Sequence, residues 1–437
     1  MIKNFFTIDK FYLTALAILI PTSINLSITQ FLSPVLNAIM GRADNPAISI
    51  SSYSIAISIL FLIALPNLRI QQLTIVYYKD ISKLKIHFFV ILIAIICLLC
   101  SILIIYTPIS NIFLEKIFFT EGELRNSVEK CLKLGFYIPF LLVIKMHFYA
   151  ISIVSSKSSL IWIGTIFGFI STSILAIIFY LMGFEGFKLG ISAVTYSLVL
   201  ETSVIFFLVR KYLFDLKPKI TMDIFKVGDL FKFFTPLLFA AFIPSFTMPA
   251  INACLTRLDN PEVSISAVNI GFGIFGAASF TINGCQSTIL SLISNGYSYL
   301  KIRDFSYFVG FLTLLLCGFI AWINPLNHFI LHGIFNLNGD LFNNTLLVFR
   351  LLSFLPPFLV MEQLYVGIIM SSKSTNPIIY INICRLIVLI IILGIGIILF
   401  KNFESYGAIV GGFAWSVTLF FEGIFAWFFA KNIKKPL

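Results

Sequence analysis

The sequence predicts an all-α polytopic membrane protein with about twelve transmembrane helices in two pseudo-symmetric six-helix bundles. Hydrophobic residues make up 59% of the chain and charged residues 11%, whereas about a quarter of the residues in soluble domains are charged. Long apolar runs approach the roughly 20 residues that a helix needs to cross a bilayer. In addition, a motif of the first half recurs in the second half, which predicts a duplicated bundle.

The repeat aligns the two halves without a gap around the predicted first and seventh helices. The offset is constant at 215 residues (246 − 31 and 266 − 51). Six helices in each half give both halves the same orientation, so the pseudo-twofold axis is expected along the membrane normal. The matched residues are Phe31, Pro34, Asn37, Arg42, Asp44, Asn45, Pro46, Ser49 and Ser51 with Phe246, Pro249, Asn252, Arg257, Asp259, Asn260, Pro261, Ser264 and Ser266.

Apolar runs predict the spans of both halves. In the first half we expect helices over about 12–38, 48–75, 88–107, 134–155, 159–181 and 188–209. In the second half we expect them over about 228–253, 263–293, 305–324, 351–371, 376–400 and 407–430. The first span could be read as a signal peptide, because Lys3 and Lys10 precede it. The repeat argues against that reading, since Pro21 and Pro34 match Pro236 and Pro249 of an internal helix.

The distribution of Lys and Arg predicts the domain boundaries and the orientation. We expect an N-terminal bundle over 1–209, a basic cytoplasmic linker over 210–227 and a C-terminal bundle over 228–437. Positive residues are retained on the cytoplasmic side, so we expect a cell (inner) membrane protein with both termini in the cytoplasm. Topology then accounts for the net charge of +11, and no nucleic-acid partner is needed.

Several functional classes find no support in the sequence. Seven scattered cysteines, almost all within the apolar spans, indicate no disulfide framework. His328 and His332 have the i, i+4 spacing of zinc ligands, but no third ligand is evident, so we expect no metal. No phosphate-binding glycine loop and no long soluble segment are present. We therefore expect neither an enzyme nor a directly ATP-driven pump, and no cofactor beyond a coupling ion such as H⁺ or Na⁺.

Ionisable and amide side chains at membrane depth are the candidates for a substrate or ion pathway, because such groups are costly in lipid. They are Arg385, Lys145, His147, Glu362, Gln363, Arg69, Asn37, Asn252, Gln71, Gln286, Glu201 and Glu422. Arg385, Lys145 and Arg69 would attract an anion, and Glu362 and His147 are candidates for gating or proton coupling. Two alternatives stay open: Lys145 could pair with Glu362, and Arg385 could pair with Glu362 or Glu422 for packing.

The repeat separates scaffold from function at these positions. Glu201 and Glu422 are repeat mates, and duplicated positions more often maintain the fold, although cation coupling is the alternative. Three positions break the symmetry: Lys145 stands against Met361, His147 against Gln363 and Arg385 against Phe169. A directional pathway is expected at such mismatches.

The chain resembles the multidrug/oligosaccharidyl-lipid/polysaccharide (MOP) exporter superfamily, which includes MATE exporters and lipid-linked saccharide flippases. Within it, the chain is most similar to the progressive ankylosis (ANKH-like) family. The residues that carry this resemblance are Pro249, Asn252, Arg257, Arg350, Ser353, Phe354, Pro356, Met370, Lys373, Thr375, Arg385–Ile390, Gly407, Ala408, Gly411 and Glu422. It implies a MATE/MOP-like fold and export of small anions such as pyrophosphate, ATP and citrate. Glu362 replaces a basic residue of the family pattern, and Lys145 has no counterpart in it.

Together these observations predict a secondary active transporter that exports a small anionic or amphiphilic solute by rocker-switch alternating access. The expected partners are the lipid bilayer and the solute, with a monomeric functional unit. A flippase of a lipid-linked saccharide or phospholipid is the alternative. A membrane scaffold without transport would explain neither the buried charges nor the kinked repeat.

Overall fold

The structure is a computed structural model that describes residues 10–28, 31–78, 83–155, 157, 159–215, 227–371, 376–400 and 407–431. All regular elements in that part of the chain are helical, which confirms the all-α prediction. Most of the predicted linker lies outside the described residues, as do Lys3, Lys373 and Thr375. The side chains of Lys10, Pro21 and Pro236 are also outside them.

Among the residues that the structure describes, the first half contains eleven helices and one π-helical segment, residues 112–117. The helices are α1 (Lys10–Ser27), α2 (Leu32–Met40), α3 (Pro46–Asn67), α4 (Ile70–Tyr77), α5 (Lys83–Tyr106), α6 (Ile109–Asn111), α7 (Gly122–Gly135), α8 (Ile138–Val154), α9 (Ser159–Leu181), α10 (Gly186–Val209) and α11 (Tyr212–Asp215).

Eleven helices and one π-helical segment, residues 329–334, are described in the second half. Its helices are α12 (Val227–Ser245), α13 (Thr247–Leu255), α14 (Pro261–Ala278), α15 (Phe280–Asn283), α16 (Cys285–Ser294), α17 (Tyr299–Trp322), α18 (Asn324–His328), α19 (Gly339–Leu352), α20 (Pro356–Ser371), α21 (Asn376–Phe400) and α22 (Gly407–Lys431).

The helices are long and apolar enough for a multi-pass membrane protein. Among the described residues, eight helices pass this test alone and three bent pairs pass it together, which gives up to 11 spans. A shorter apolar helix, Phe11–Ile24, lies where the first span is predicted. A bend of 69° divides the predicted eighth span, and a bend of 46° lies at the start of the predicted tenth span, between α19 and α20. The first bend follows Ala278. The second precedes Pro356 and Pro357, which lack backbone N–H donors.

The connections between the third and fourth and between the ninth and tenth predicted spans contain helices. These spans were predicted to begin at residues 134 and 351, but α7 begins at Gly122 and α19 at Gly339, where φ is 55° and 56°. The π-helical segments that precede them start 217 residues apart (329 − 112). The duplication is therefore present in backbone conformation as well as in sequence.

Contacts group the described residues into two units that differ from the sequence halves. The C-terminal unit contains Met1–Pro34, Ile270–Leu399 and Ala408–Leu437, and the N-terminal unit contains Val35–Asn269 and Phe400–Gly407. The start of each half is thus exchanged: α1 belongs with the second half, and α12 and α13 belong with the first. The division at residues 209 and 228 stays a prediction about the sequence halves.

In the C-terminal unit, α1 packs against α15 and α16. The Ser23 and Ser27 hydroxyls donate to the Thr281 and Phe280 carbonyls at 2.9 and 3.1 Å. Gly284 permits this contact, because a Cβ there would lie 2.7 Å from the Ser23 backbone nitrogen. Apolar side chains of α1, α16, α17 and α20 complete the core around it.

In the N-terminal unit, two symmetric hydrogen bonds hold the exchanged segments. The Asn252 amide on α13 donates to the Ser54 carbonyl on α3 at 3.3 Å, and the Asn37 amide on α2 donates to Asn269 Oδ1 on α14 at 3.3 Å. Asn37 and Asn252 are repeat mates, and Ser54 and Asn269 are as well (269 − 54 = 215). Buried hydrogen bonds between helices of this kind stabilise membrane bundles. Both asparagines therefore contact the same position of the repeat, Asn252 through a backbone carbonyl and Asn37 through a side-chain oxygen. Their predicted pathway role stays a prediction.

A second duplicated contact lies in the same unit, at the start of α10 and of α22. A Cβ on Gly186 would overlap Ser49 Oγ, and a Cβ on Gly407 would overlap Ser264 Oγ. Ser49 and Ser264 follow the matched segments 42–46 and 257–261 of the repeat. Gly186 opens α10 and Gly407 opens α22, and each glycine permits close contact with its serine.

Candidate functional site

Lys145 on α8 is neutralised inside the N-terminal unit by Glu201 on α10. Lys145 Nζ lies 3.2 Å from Glu201 Oε2, and both side chains are about one-tenth exposed. The Tyr149 hydroxyl donates to Glu201 Oε1 at 2.5 Å and also lies 3.2 Å from Thr165 Oγ1 on α9. The network thus satisfies the carboxylate on both oxygens, as a buried ion pair requires.

The Lys145 network replaces one of the pairings considered from sequence. Lys145 is paired with Glu201 rather than with Glu362. Gly168 allows α9 to approach the pair, since a Cβ there would lie 2.5 Å from Glu201 Oε2. Glu201 neutralises Lys145 in this buried pair, and the predicted role of Lys145 in attracting an anion stays a prediction.

Arg385 on α21 is neutralised in the same way inside the C-terminal unit. Its Nη1 lies 3.0 Å from Glu422 Oε1 on α22, with side-chain exposures of 18% and 8%. Of the two partners considered from sequence, the structure selects Glu422. The repeat mates Glu201 and Glu422 therefore each hold one cation, but from different helices of the repeat.

Glu362 lies on α20 of the same unit and does not take part in this salt bridge. Gln363 Nε2 donates to its Oε2 at 2.5 Å, and no salt bridge to it is found among the described residues. Gly423 brings α22 close, since a Cβ there would lie 2.9 Å from the Phe358 carbonyl oxygen and 3.9 Å from the Glu362 backbone nitrogen. Gln286, another candidate, donates to Met370 Sδ at 3.1 Å.

Arg69 lines a cavity of about 360 Å³ inside the N-terminal unit. The cavity lies between α3, α4, α8 and α12. The Arg69 guanidinium has no hydrogen-bond or ion-pair partner in the part of the chain that the structure describes. The other polar lining residues are Gln71, Gln72 and Ser245. The apolar lining consists of Leu65, Leu68, Met146, Ala241 and Pro244. A planar cation with five donors, two amides and an apolar wall suit an amphiphilic anion.

His147 on α8 belongs to a buried hydrogen-bond chain beside this cavity. Thr74 Oγ1 on α4 lies 2.9 Å from His147 Nδ1, and His87 Nδ1 on α5 lies 2.8 Å from His147 Nε2. The Tyr78 ring contacts both imidazoles, at centroid distances of 5.9 and 6.3 Å. The chain joins α4, α5 and α8, and His147 is 3% exposed.

Sequence reasoning missed His87, Tyr149 and Thr165. The predicted third span begins at Phe88, one residue after His87, so this histidine was assigned to a connection. Tyr149 has a repeat mate, Tyr365, which placed it with the scaffold. A boundary earlier by one helical turn would have included His87, because α5 begins at Lys83.

His328 and His332 lie side by side, and no third protein ligand joins them among the described residues. The rings of His328 and His332 are 4.9 Å apart at their centroids. Within the described ranges, no group of three or more His, Cys, Asp or Glu side chains is arranged to hold a metal ion.

Solved structures with the same fold are MOP-superfamily transporters. The chain matches an inward-facing multidrug resistance MATE family transporter of this superfamily with a TM-score of 0.65 at 14% identity, covering 97% of this chain and 99% of that one. It matches the lipid II flippase MurJ, in an inward closed conformation, with a TM-score of 0.72 at 17% identity, covering 94% and 88%. A mutant of the Vibrio cholerae MATE transporter VcmN matches at 0.56 and 12%, covering 96% of each chain.

These likenesses define a multi-pass membrane protein with the MATE and MurJ fold, as predicted. No protein-family model matches the chain, and no curated protein matches it at a significant level. The similarity to the ANKH-like family therefore stays a prediction.

Proposed function

We propose that this protein is a secondary active transporter of the MATE/MOP type that exports a small anionic or amphiphilic solute by alternating access. The observation that carries the proposal is the cavity around Arg69. Lys145 and Arg385 each have a buried carboxylate partner, whereas the Arg69 guanidinium faces a cavity beside Gln71 and Gln72. Charge-assisted hydrogen bonds from Arg to a phosphate, sulfate or carboxylate are strong and directional.

The apolar part of the cavity supports an amphiphilic solute. Leu65, Leu68, Met146, Ala241 and Pro244 line it, and binding sites for small molecules combine such a lining with a few polar anchors. The volume of about 360 Å³ is within the range of roughly 300–1,000 Å³ that is usual for ligand sites. A solute with one anionic group and a short apolar body fits this arrangement.

Flux measurements in proteoliposomes test the proposal. We expect the purified protein to release entrapped radiolabelled octyl sulfate faster than protein-free vesicles do, and to release the neutral analogue octanol no faster. Octyl sulfate keeps its charge throughout the physiological pH range. Equal release of octyl sulfate with and without protein would contradict the proposed function.

A flippase is the second candidate, supported by the likeness to MurJ and by the apolar lining of the cavity. A phospholipid or lipid-linked saccharide would present a phosphate to Arg69 in the same way as a soluble amphiphile. Vesicles that carry a fluorescent lipid in one leaflet distinguish the two. Accelerated movement of the fluorescent lipid, without release of octyl sulfate, would favour the flippase.

Glu362 is the proposed site of ion coupling, with H⁺ or Na⁺ as the ion. Its carboxylate accepts a hydrogen bond from Gln363, and its helix packs against α22, which carries Glu422 of the Arg385–Glu422 pair. We expect Glu362→Gln to abolish uphill transport of octyl sulfate driven by a pH or Na⁺ gradient. Downhill exchange should remain, because the anion cavity lies in the other unit.

The control for Glu362→Gln is Glu129→Gln. Glu129 is exposed on α7, where it pairs with Lys133. This variant should retain gradient-driven transport. If Glu362→Gln retains it too, Glu362 does not couple.

A further inference from the structure

We propose that the N-terminal unit carries a binding site for a phospholipid whose headgroup contains both a phosphate and an ammonium. The headgroup occupies a polar cavity at the end of the unit where α9 passes into α10, and one acyl chain occupies an apolar groove that continues from this cavity. The site shares no lining residue with the Arg69 cavity, so the inference is independent of the proposed transport.

The polar cavity has a volume of about 550 Å³ and is lined by the starts of α3, α7 and α10 and by the end of α9. Its charged lining residues are Arg42, Lys130, Asp44, Glu123 and Glu185, and its amides are Asn45 and Asn126. A lone anion or a lone cation would meet like charges here, whereas a zwitterion can place each of its charges against the opposite one. No three carboxylates of the described residues are arranged to hold a metal ion instead.

Two buried serines add hydrogen-bonding groups to the wall of the polar cavity. Ser49 and Ser127 line it, and they are 4% and 3% exposed. Neither hydroxyl has a hydrogen-bond partner within the described ranges of the chain. Buried hydroxyls usually have a partner, and a headgroup in the cavity supplies acceptor oxygens to both.

The apolar groove has a volume of about 510 Å³ and begins where the polar cavity ends. Phe184 lines both of them. The groove is open at the surface of the unit, since Tyr196 is 52% and Leu200 43% exposed. In a membrane-spanning helix such a surface faces lipid. The other residues that line the groove are Leu134, Leu175, Phe179, Lys188, Ser192 and Val199.

The length of the groove fits one leaflet of a bilayer. From Lys188 to Leu200 it follows α10 for 12 residues (200 − 188). At about 1.5 Å per residue this is about 18 Å, which is close to half of the roughly 30 Å hydrocarbon core. A phospholipid chain spans one leaflet, so the groove has the depth that such a chain needs.

The order of charges along α7 matches the order of groups in the lipid. Glu123, Lys130 and Leu134 lie on one face of this helix, because they are seven and four residues apart. Leu134 lines the groove, and Lys130 is the nearer of the two charges to it. Lys130 and Lys188 both place their ammonium groups 5.8 Å from the Phe187 ring. A phosphate next to the chain therefore meets lysines, and the lipid ammonium meets a carboxylate about 10 Å further along α7.

Lys188 can contact a phosphate although it has a partner in the protein. Its Nζ lies 3.1 Å from Glu185, but the two side chains are 38% and 55% exposed. Exposed ion pairs are weak, and an ammonium has three donors. Lys188 can thus donate to Glu185 and to a phosphate at the same time.

The experiment is equilibrium binding of dioleoyl phosphatidylethanolamine to the purified full-length protein in detergent, followed by native mass spectrometry as the lipid concentration rises. The matched ligand is the same lipid with an acetylated amine, which keeps the phosphate and both chains but has no ammonium. We expect the wild type to bind the unmodified lipid at least about 10-fold more tightly, as hydrogen bonds to a charged group imply. Glycerophosphoethanolamine, the headgroup without chains, should bind at least about 10-fold more weakly than the lipid, because burial of CH₂ groups in the groove is lost.

A pair of double variants tests which carboxylates hold the ammonium. Asp44→Asn with Glu123→Gln should remove the preference for the unmodified lipid and leave binding of the acetylated lipid unchanged. The control is Glu129→Gln with Asp259→Asn, which also removes two negative charges. Glu129 pairs with Lys133, and Asp259 is the repeat mate of Asp44 (259 − 44 = 215). Neither lines the polar cavity, so this variant should keep the preference.

Three results would overturn the proposal. Equal binding of the two lipids by the wild type would show that the cavity does not hold an ammonium. Binding of glycerophosphoethanolamine as tight as that of the lipid would show that the groove does not hold a chain. A preference that persists without Asp44 and Glu123 but is lost in Arg69→Gln would place the lipid in the Arg69 cavity. The first two comparisons use the wild type alone, so they are decisive even if a variant fails to fold.

Discussion

Replacing Arg69 by Gln is expected to weaken octyl sulfate binding by at least about 10-fold, because a hydrogen bond to a charged group contributes about 1.5–3 kcal/mol and about 1.4 kcal/mol corresponds to tenfold in affinity. The guanidinium is the cation of the cavity, with Gln71 and Gln72 beside it. Binding in nanodiscs and release from proteoliposomes should both fall, since the same site serves both.

The charge and the shape of Arg69 can be separated. Arg69→Lys keeps the positive charge but loses the planar fork that contacts two oxygens at once. We therefore expect this variant to bind with intermediate affinity.

The matched control is Arg303→Gln. Arg303 lies at the start of α17 and pairs with its neighbour Asp304 at 2.8 Å, away from the cavity residues in the chain. Its replacement should leave octyl sulfate binding within twofold of the wild type, by our estimate from the small contribution of exposed ion pairs. If Arg69→Gln binds as well as Arg303→Gln, the cavity does not hold the anion.

Replacing Lys145 by Met is expected to lower the stability of the protein by about 3–5 kcal/mol, because it leaves the Glu201 carboxylate buried without its ion pair. Both side chains are about one-tenth exposed. The double variant Lys145→Met with Glu201→Gln removes both charges and should recover most of the loss. Thermal unfolding midpoints in one detergent, followed by intrinsic fluorescence, compare the variants.

Lys133→Met provides the reference for an exposed pair. Lys133 contacts Glu129 at 2.5 Å, but the two side chains are 45% and 37% exposed. Exposed pairs contribute about 0–1 kcal/mol, so this midpoint should scarcely move. A Lys145→Met midpoint as high as that of Lys133→Met would show that the buried pair does not stabilise the N-terminal unit.

The same reasoning changes the role expected of Arg385. From sequence it is a candidate anion ligand, because its repeat mate is Phe169. In the structure its guanidinium contacts Glu422 at 3.0 Å, which makes it a partner of the duplicated glutamate. The mismatch between Arg385 and Phe169 therefore reflects different partners of the two repeated glutamates: Glu422 pairs with Arg385, whereas Glu201 pairs with Lys145.

Hydropathy and the repeat predicted most of the fold. Spans such as Ser159–Leu181 and Asn376–Phe400 were placed to the residue, because a bilayer requires long apolar runs with few exceptions. Helix α7 was missed because it carries exposed charged residues, such as Lys133 and Glu129, and therefore has no long apolar run.

The candidate site was predictable as a set of residues but not as a set of contacts. Sequence identifies Lys145, Arg385 and Arg69 as cations at membrane depth. Which of them is neutralised depends on how α8, α21 and α4 are rotated about their axes. Sequence spacing predicts only pairs three or four residues apart on one helix, whereas Lys145 and Arg385 each pair with a glutamate on another helix. The exchange of α1 and α12 between the units likewise leaves no signal in composition or periodicity.

The exchanged helices have a consequence for how the chain can be made. Helix α3 is covered by α12 and α13, and the N-terminal unit extends to Asn269. During synthesis, the first six spans thus emerge from the ribosome before the segment that completes their packing. The Ser54 carbonyl and the Ser58 hydroxyl receive the Asn252 amide only after residue 252 has been inserted. A chain released after residue 209 would lack the Asn252 partner of these groups, so the packing of α3 is completed only after the start of the second half has been made.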